Sequence, residues 1–192
     1  MTHIYFVRHA QPDFTVHDDR SRPLTEQGLR DREQATSFLL PRNISAVLSS
    51  PYRRARDTVG HLAEALGLTV EIIEDFRERR VDSVWIDDFN AFARQQWADF
   101  DYKLTDGECL SEVQARNIAA LNDVLRRYAG QSVAIGSHGT ALSTVIRYFD
   151  PSFGWEDFRR IQPVMPLIVH LTFEGDQCLS IGYTDPLTNH SW

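Results

Sequence analysis

Lysine is nearly absent from this chain: Lys103 is the only one among 20 Lys and Arg residues, so 19 are arginine. Cysteine is just as scarce. Cys109 and Cys178 supply neither a disulfide framework nor a thiolate metal cluster. No apolar run approaches the roughly 20 residues that cross a bilayer, so no membrane partner is expected. Met1-Thr2-His3 leads into apolar sequence without a signal-peptide pattern, which makes a cytoplasmic location the expectation. The net charge of −7 argues against a general nucleic-acid binder, whose footprint is basic. What remains is 192 residues, 42% apolar and 24% charged, enough for one domain with a sizeable core. Its basic groups are almost all guanidinium, the group suited to bidentate phosphate recognition.

The chain is organised around Ile4-Tyr5-Phe6-Val7-Arg8-His9-Ala10. A short continuous run of β-formers reads as a strand buried on both faces, about residues 3–8. Arg8 and His9 then stand at its carboxyl end, the edge where open α/β sheets bind ligands. Ser132-Val133-Ala134-Ile135-Gly136 repeats the arrangement and ends in Ser137-His138-Gly139. Two histidines at two strand exits predict one site built from distant segments.

Residues 10–23 read as a polar loop. A helix follows, N-capped by Thr25, with Leu29, Ala35, Phe38 and Leu39 on its apolar stripe and Pro41 as its stop. A strand over 44–48 leads to Ser50 as N-cap and Pro51 at the first helical position. Ala55, Val59, Leu62, Ala63 and Leu66 give that helix a 3.6-residue face, and Gly67 ends it. A third strand is expected over 68–73. Residues 74–107 read as a cap over the site, with Trp85, Phe89, Phe92, Arg94 and Trp97 as its aromatic and basic content. Ser111-Glu112-Val113-Gln114 matches a capping box for a helix closed by Gly130. After the strand at 132–136, Leu142, Val145, Ile146 and Phe149 mark another helix. Pro163 and Pro166 flank a turn. Residues 167–173 and 178–183 read as a hairpin, whose last strand either pairs within the sheet or offers an edge for a homodimer. Strands alternating with helices predict an α/β three-layer sandwich around a mostly parallel sheet.

A neutral imidazole is a good nucleophile toward phosphorus and forms covalent intermediates, which makes His9 the candidate phosphate acceptor. Arg8 beside it is placed to neutralise phosphoryl oxygens. Arg54 falls in the first turn of a helix that starts past a strand end, where a helix N-terminus already favours anions. Arg53 and Arg56 flank it, and periodicity does not separate the three. His138 precedes Gly139, which permits close backbone approach. Glu78, after the third strand, is a candidate proton donor to a leaving oxygen, although Arg77, Arg79 and Arg80 are equally available as its partners.

Together these pieces resemble the histidine phosphatase superfamily, which includes cofactor-dependent phosphoglycerate mutases. Val7-Arg8-His9-Ala10 resembles the Arg-His-Gly/Ala signature. Pro23-Leu24-Thr25-Glu26-Gln27-Gly28 resembles the Pro-Leu-Thr-x-x-Gly turn, and Ser49-Ser50-Pro51-Tyr52-Arg53-Arg54-Ala55-Arg56-Asp57-Thr58 the Ser-Ser-Pro-Leu-x-Arg-Ala-x-x-Thr segment. Ser137-His138-Gly139 resembles the Ser-His-Gly element, and Gly107-Glu108 its Gly-Glu-Ser, with Cys109 in place of serine. The resemblance implies a phosphoglycerate mutase-like fold and a metal-independent enzyme needing no cofactor. It makes His9 the phosphorylated nucleophile and Glu78, in Phe76-Arg77-Glu78, the proton donor. Arg8, Arg54 and His138 would form the phosphate pocket beside Gly139. Thr15 stands where the family carries an Asn that contacts phosphate, and is the expected substrate-binding position there.

Two departures favour a phosphatase over a mutase. The mutases' Glu-Arg-x-Tyr-Gly stretch reads Glu78-Arg79-Arg80-Val81-Asp82 here, and the Asn is Thr15. The expected reaction is hydrolysis of a small phosphorylated metabolite through phosphohistidine. A mutase, a phosphate- or phosphoprotein-binding module without turnover, and a metallohydrolase using His9 and His138 are the alternatives. His17, Asp18 and Asp19 are the nearest candidate ligand set for the last.

Overall fold

The structure is a computed structural model that describes residues 1–83, 86 and 88–192. Seven strands form one sheet: β1 (Thr2–Arg8), β2 (Ile44–Ser49), β3 (Val70–Ile72), β4 (Ser132–Ser137), β5 (Leu167–Glu174), β6 (Gln177–Asp185) and β7 (His190–Ser191). Their order is β3-β2-β4-β1-β5-β6-β7. The first four in that order pair in parallel, and the last three are joined antiparallel. The parallel half is therefore as expected, while the β5–β6 hairpin lies inside the sheet with β7 at its outer edge. Six α-helices, α1 (Glu26–Leu39), α2 (Arg53–Leu66), α3 (Phe89–Ala98), α4 (Leu110–Arg127), α5 (Gly139–Phe149) and α6 (Trp155–Ile161), and two short 3-10 helices, Leu40–Arg42 and Glu74–Phe76, complete the described elements.

Alternation along β1 divides the core into two. Ile4 and Phe6 face Leu121, Leu125, Leu142 and Ile146 of α4 and α5. Tyr5 and Val7 face Ala35, Leu39, Val59 and Leu62 of α1 and α2. A strand covered on both faces has no polar side to show, which is why residues 4–7 are uniformly apolar or aromatic. The result is the helix–sheet–helix sandwich the alternation predicts.

Several local expectations are corrected. Leu29 is not on the buried stripe of α1; it is exposed. The α2 N-cap is Tyr52, not Ser50, and Pro51 lies outside the helix. The capping box of α4 pairs Cys109 with Glu112, whose carboxylate accepts the Cys109 N–H at 3.0 Å. Ser111 and Gln114 lie within that helix instead, and it ends at Arg127, before Gly130. The third strand is confined to Val70–Ile72. Helix α6 has no counterpart in the sequence reading. Trp85 lies outside the described residues. Among the described residues no helix is long and apolar enough to cross a membrane.

Candidate active site

Strand register builds the site. Arg8 lies beside Ser137, and Ser49 beside Gly136. The residues that follow, His9, His138 and Ser50, therefore leave the sheet together at the carboxyl edge. Two backbone bonds tie the exits: His9 N–H donates to Ser137 O at 3.1 Å and Ser50 N–H to Gly136 O at 2.9 Å. Gly136 permits this closeness, since a Cβ there would stand 2.7 Å from Ser49 Oγ and 3.0 Å from Ala55 O.

The imidazoles of His9 and His138 meet edge to face, with centroids 5.4 Å apart and planes at 61°. His9 Nδ1 lies 2.8 Å from the Ala10 carbonyl oxygen. A carbonyl only accepts, so Nδ1 carries the hydrogen and Nε2 keeps its lone pair. Burial, then the charges of Arg54 and Arg8, hold the ring well below the usual histidine pKa. The ring is thus neutral and nucleophilic at Nε2. The turn that presents it is pinned to α2. Ala10 N–H donates to Thr58 Oγ1 at 3.0 Å, and that hydroxyl donates to Arg54 O at 2.8 Å. This bond pair accounts for the threonine that closes the Ser49–Thr58 motif.

His138 is fully buried. Its Nε2 is 2.7 Å from Ser50 Oγ, which also accepts the Tyr52 N–H at 3.2 Å. Its Nδ1 is a buried atom with no partner among the described residues. Burial and the charge of Arg54 depress its pKa as well.

Two arginines converge on these rings. Arg8 Nη1 donates to the carbonyls of Ile161 (3.0 Å), Gln162 (2.6 Å) and Val164 (3.1 Å), at the end of α6 and just past it. Its Nε is buried without a partner among the described residues. The guanidinium lies against Gly139, where a Cβ would stand 3.2 Å from Nε. Burial lowers the Arg8 pKa to about 10. Arg54 is 3% exposed. It donates to the Asp19 carbonyl and pairs through Nη2 with Asp19 Oδ1 at 3.1 Å. Asp19 Oδ1 also receives Arg22 Nη1 at 3.0 Å. Arg53, by contrast, is an exposed partner of Asp57, so burial separates two arginines that periodicity could not.

Glu78 does not pair with its neighbouring arginines. Its carboxylate accepts the N–H groups of Thr140 (3.0 Å) and Ala141 (2.9 Å) at the start of α5, and that of Arg79 (2.8 Å). It supplies the side-chain cap that His138, as N-cap, does not. Arg77 goes to Glu108 at 2.9 Å. Buried Arg79 donates to Gln96 Oε1 at 2.5 Å and stacks over Phe89 and Phe92 at 5.2 and 5.1 Å. Arg116 of α4 ties the segment down by donating to the carbonyls of Asp75, Arg77 and Glu78 and to the Glu108 carboxylate.

The cluster thus unites Arg8, His9, Arg54, Glu78, His138 and Gly139 through bonds and contacts, and adds Ser50, Thr58, Asp19 and Arg116. Of these four, the sequence marks Asp19 only as a candidate metal ligand, not as a partner of Arg54. Thr58 and Ser50 are visible as motif positions; Arg116 carries no local mark. Thr15 is not drawn in. It is exposed, and both its hydroxyl (2.6 Å) and its N–H (3.0 Å) donate to Asp13 Oδ1. Asp18 and Asp19 are engaged by Ser21, Arg22 and Arg54. Among the described residues no group of three or more His, Cys, Asp or Glu side chains is placed to hold a metal ion. Chemically, buried cationic groups around a neutral histidine at a helix start suit a multiply charged anion.

The chain is similar to several known proteins. The probable phosphoglycerate mutase GpmB of Yersinia pestis is 26% identical over 158 residues, which are 76% of this chain and 74% of that protein. The solved structure of Bacillus stearothermophilus YhfR superposes with a TM-score of 0.75 at 23% identity, covering 93% of this chain and 95% of that one. A phosphoserine phosphatase mutant from Entamoeba histolytica, in complex with phosphoserine, gives a TM-score of 0.74 at 18% identity over 94% and 96% of the two chains. Residues 4–186 match the sequence profile of the histidine phosphatase superfamily (branch 1), and the chain belongs to that family.

Proposed function

We propose that this chain is a phosphomonoester hydrolase working through a phosphohistidine at His9 on a small phosphorylated metabolite. The observation that carries the reading is the His9 Nδ1–Ala10 O bond of 2.8 Å, which leaves Nε2 free inside a ring of buried cations. His9 Nε2 attacks phosphorus, the ester oxygen departs with a proton, and water then takes the phosphoryl group from the ring. Arg8, Arg54 and His138 hold the phosphoryl oxygens, so that charge developing in transfer meets fixed donors. The start of α5 at Gly139 adds its positive dipole end. Glu78 serves the proton at the leaving oxygen and then at the incoming water.

Hydrolysis is favoured over isomerisation because Arg79, which follows Glu78, is spent on Gln96, Phe89 and Phe92, and Val81-Asp82 replaces the mutases' Tyr-Gly. One structural relative is a phosphoserine phosphatase mutant in complex with phosphoserine. This is consistent with a small phosphorylated acid as one substrate to try.

The test is acid-labile phosphate trapping. Brief incubation with radiolabelled p-nitrophenyl phosphate is expected to label the wild-type chain at histidine, and His9→Ala to abolish the label. A labelled His9→Ala variant would sink the assignment. Incubation with 3-phosphoglycerate is expected to release free phosphate; an isomer without phosphate would make the chain a mutase.

A further inference from the structure

The family's Ser-Ser-Pro-Leu-x-Arg pattern has an apolar residue where this chain has Tyr52, and the structure puts that ring among the phosphate-site groups. It packs edge to face on His138, with centroids 5.1 Å apart and planes at 66°. The Arg54 guanidinium carbon stands 5.2 Å from the ring centroid. The backbone is anchored to the same centre, because Tyr52 N–H donates to the Ser50 oxygen that bonds His138. Tyr52 is also the N-cap of α2, its carbonyl accepting Ala55 and Arg56 N–H at 3.1 Å. Ring position is therefore fixed from three sides.

A leucine would fill the same apolar contact. What tyrosine adds is a hydroxyl, and buried tyrosines usually pair theirs. Here the hydroxyl has no hydrogen-bond partner among the described residues and is not sealed from solvent, although the residue as a whole is only 9% exposed. It lies within the electrostatic reach of Asp19 and Glu78, the two carboxylates at the site. The two carboxylate oxygens of Glu78 already accept three backbone N–H groups. A neutral donor within the field of that carboxylate meets a need the carboxylate does not: an oxygen leaving phosphorus gains negative charge and is stabilised by an aimed O–H.

We propose that Tyr52 touches the substrate, its hydroxyl donating a hydrogen bond to the ester oxygen that leaves phosphorus, beside Glu78. The inference rests on the phosphatase reading above. The phenol keeps its proton throughout; no atom changes hands, and the proton of the departing alcohol still comes by way of Glu78. Burial and the two carboxylates push the Tyr52 pKa up to about 12, so the donor stays protonated across the range in which the enzyme is assayed.

The test compares two esters in wild type, Tyr52→Phe and Tyr52→Leu. Ethyl phosphate has a poor leaving group that needs the donor; p-nitrophenyl phosphate does not. For Tyr52→Phe, kcat/KM on ethyl phosphate is expected to fall on the order of 100-fold, with p-nitrophenyl phosphate within about threefold of wild type. The pH profile is expected to keep its shape, since the lost group does not titrate there. Tyr52→Leu, which restores the family's residue, is expected to show the same selective loss and decides the matter if the phenylalanine variant does not fold. Unchanged turnover of ethyl phosphate, or equal losses on both esters, would overturn the inference while leaving the phosphatase reading intact. A wild-type chain that forms no phosphohistidine and cleaves neither ester overturns both.

Discussion

His9 Nδ1 and the carbonyl oxygen of Ala10 stand 2.8 Å apart, and this contact within one turn selects which ring nitrogen is free. It also sets the pH behaviour. His9 is neutral well below pH 6.5 because burial, Arg54 and Arg8 all disfavour its proton. The acid limb of kcat/KM is therefore expected below the ordinary histidine range. Replacing Arg54 with Gln removes one of those charges and is expected to move the limb upward. A limb that moves down, or does not move, in a pH series on that variant contradicts the electrostatic account.

Arg54 and Arg53 are adjacent in sequence and opposite in environment. Arg54→Ala is expected to lower kcat/KM by roughly 10²–10³, as for loss of one preorganised donor. Arg53→Ala removes an exposed partner of Asp57, and is expected to change activity by less than about threefold, since exposed pairs contribute ~0–1 kcal/mol. Steady-state kinetics on the two variants decide it; comparable losses would mean that Arg53 reaches the substrate.

Thr58 is expected to matter for stability as well as for rate. Thr58→Val keeps the shape but strands the Ala10 N–H, now satisfied by that hydroxyl, while the Arg54 carbonyl keeps the backbone N–H of residue 58 within α2. A buried unsatisfied group costs about 1–3 kcal/mol. At roughly 2–4 °C per kcal/mol for a chain of this size, thermal denaturation is expected several degrees lower. An unchanged Tm would show that the turn holds itself.

Glu78→Gln separates the proton from the cap. Glutamine retains an oxygen for the Thr140 or Ala141 N–H, so α5 keeps part of its cap, while the transferable proton is lost. Turnover of alkyl phosphates is expected to fall by about 10²-fold or more, with p-nitrophenyl phosphate largely spared. Equal effects on both would remove Glu78 from proton transfer.

Stability itself is expected to decline in acid. His9, His138 and His170 all have folded pKa values below the ordinary 6.5, chiefly through burial, and that of His170 is about 4. A histidine depressed in the folded state binds its proton more readily when unfolded. The unfolded chain is therefore favoured as pH falls. The full contribution is present above pH 6.5 and declines below it, for His170 down to about pH 4. Chemical denaturation at pH 7.5 and 5.0 measures the loss; higher stability at pH 5.0 would reverse the sign.

The parts legible in the sequence are those governed by local pattern. Residues 4–7 are apolar on both faces, and 132–136 likewise, so β1 and β4 announce themselves. Histidine follows each at the strand exit, and the register then brings the pair together. The parts that were not legible depend on partners far away. Helix α6 has only seven residues, too few for a periodic stripe, yet its end supplies the carbonyls that hold Arg8. Backbone acceptors leave no trace in residue type. The α4 cap is expected at Ser111 with Gln114, but it falls two residues earlier, at Cys109 with Glu112. Thr15 aligned with a family position, but the adjacent Asp13 captures its hydroxyl.

The Asp19 carboxylate resting on Arg54 and Arg22 sets an entry condition. Any anion seeking Arg54 exchanges with a resident negative charge rather than with bulk water. A singly charged acid gains little from such a swap, because one monovalent ligand merely replaces another. On the phosphatase reading, a dianionic phosphoryl group carries one more unit of charge than the carboxylate it would displace. The loop before His9 would then favour phosphate esters over simple carboxylic acids.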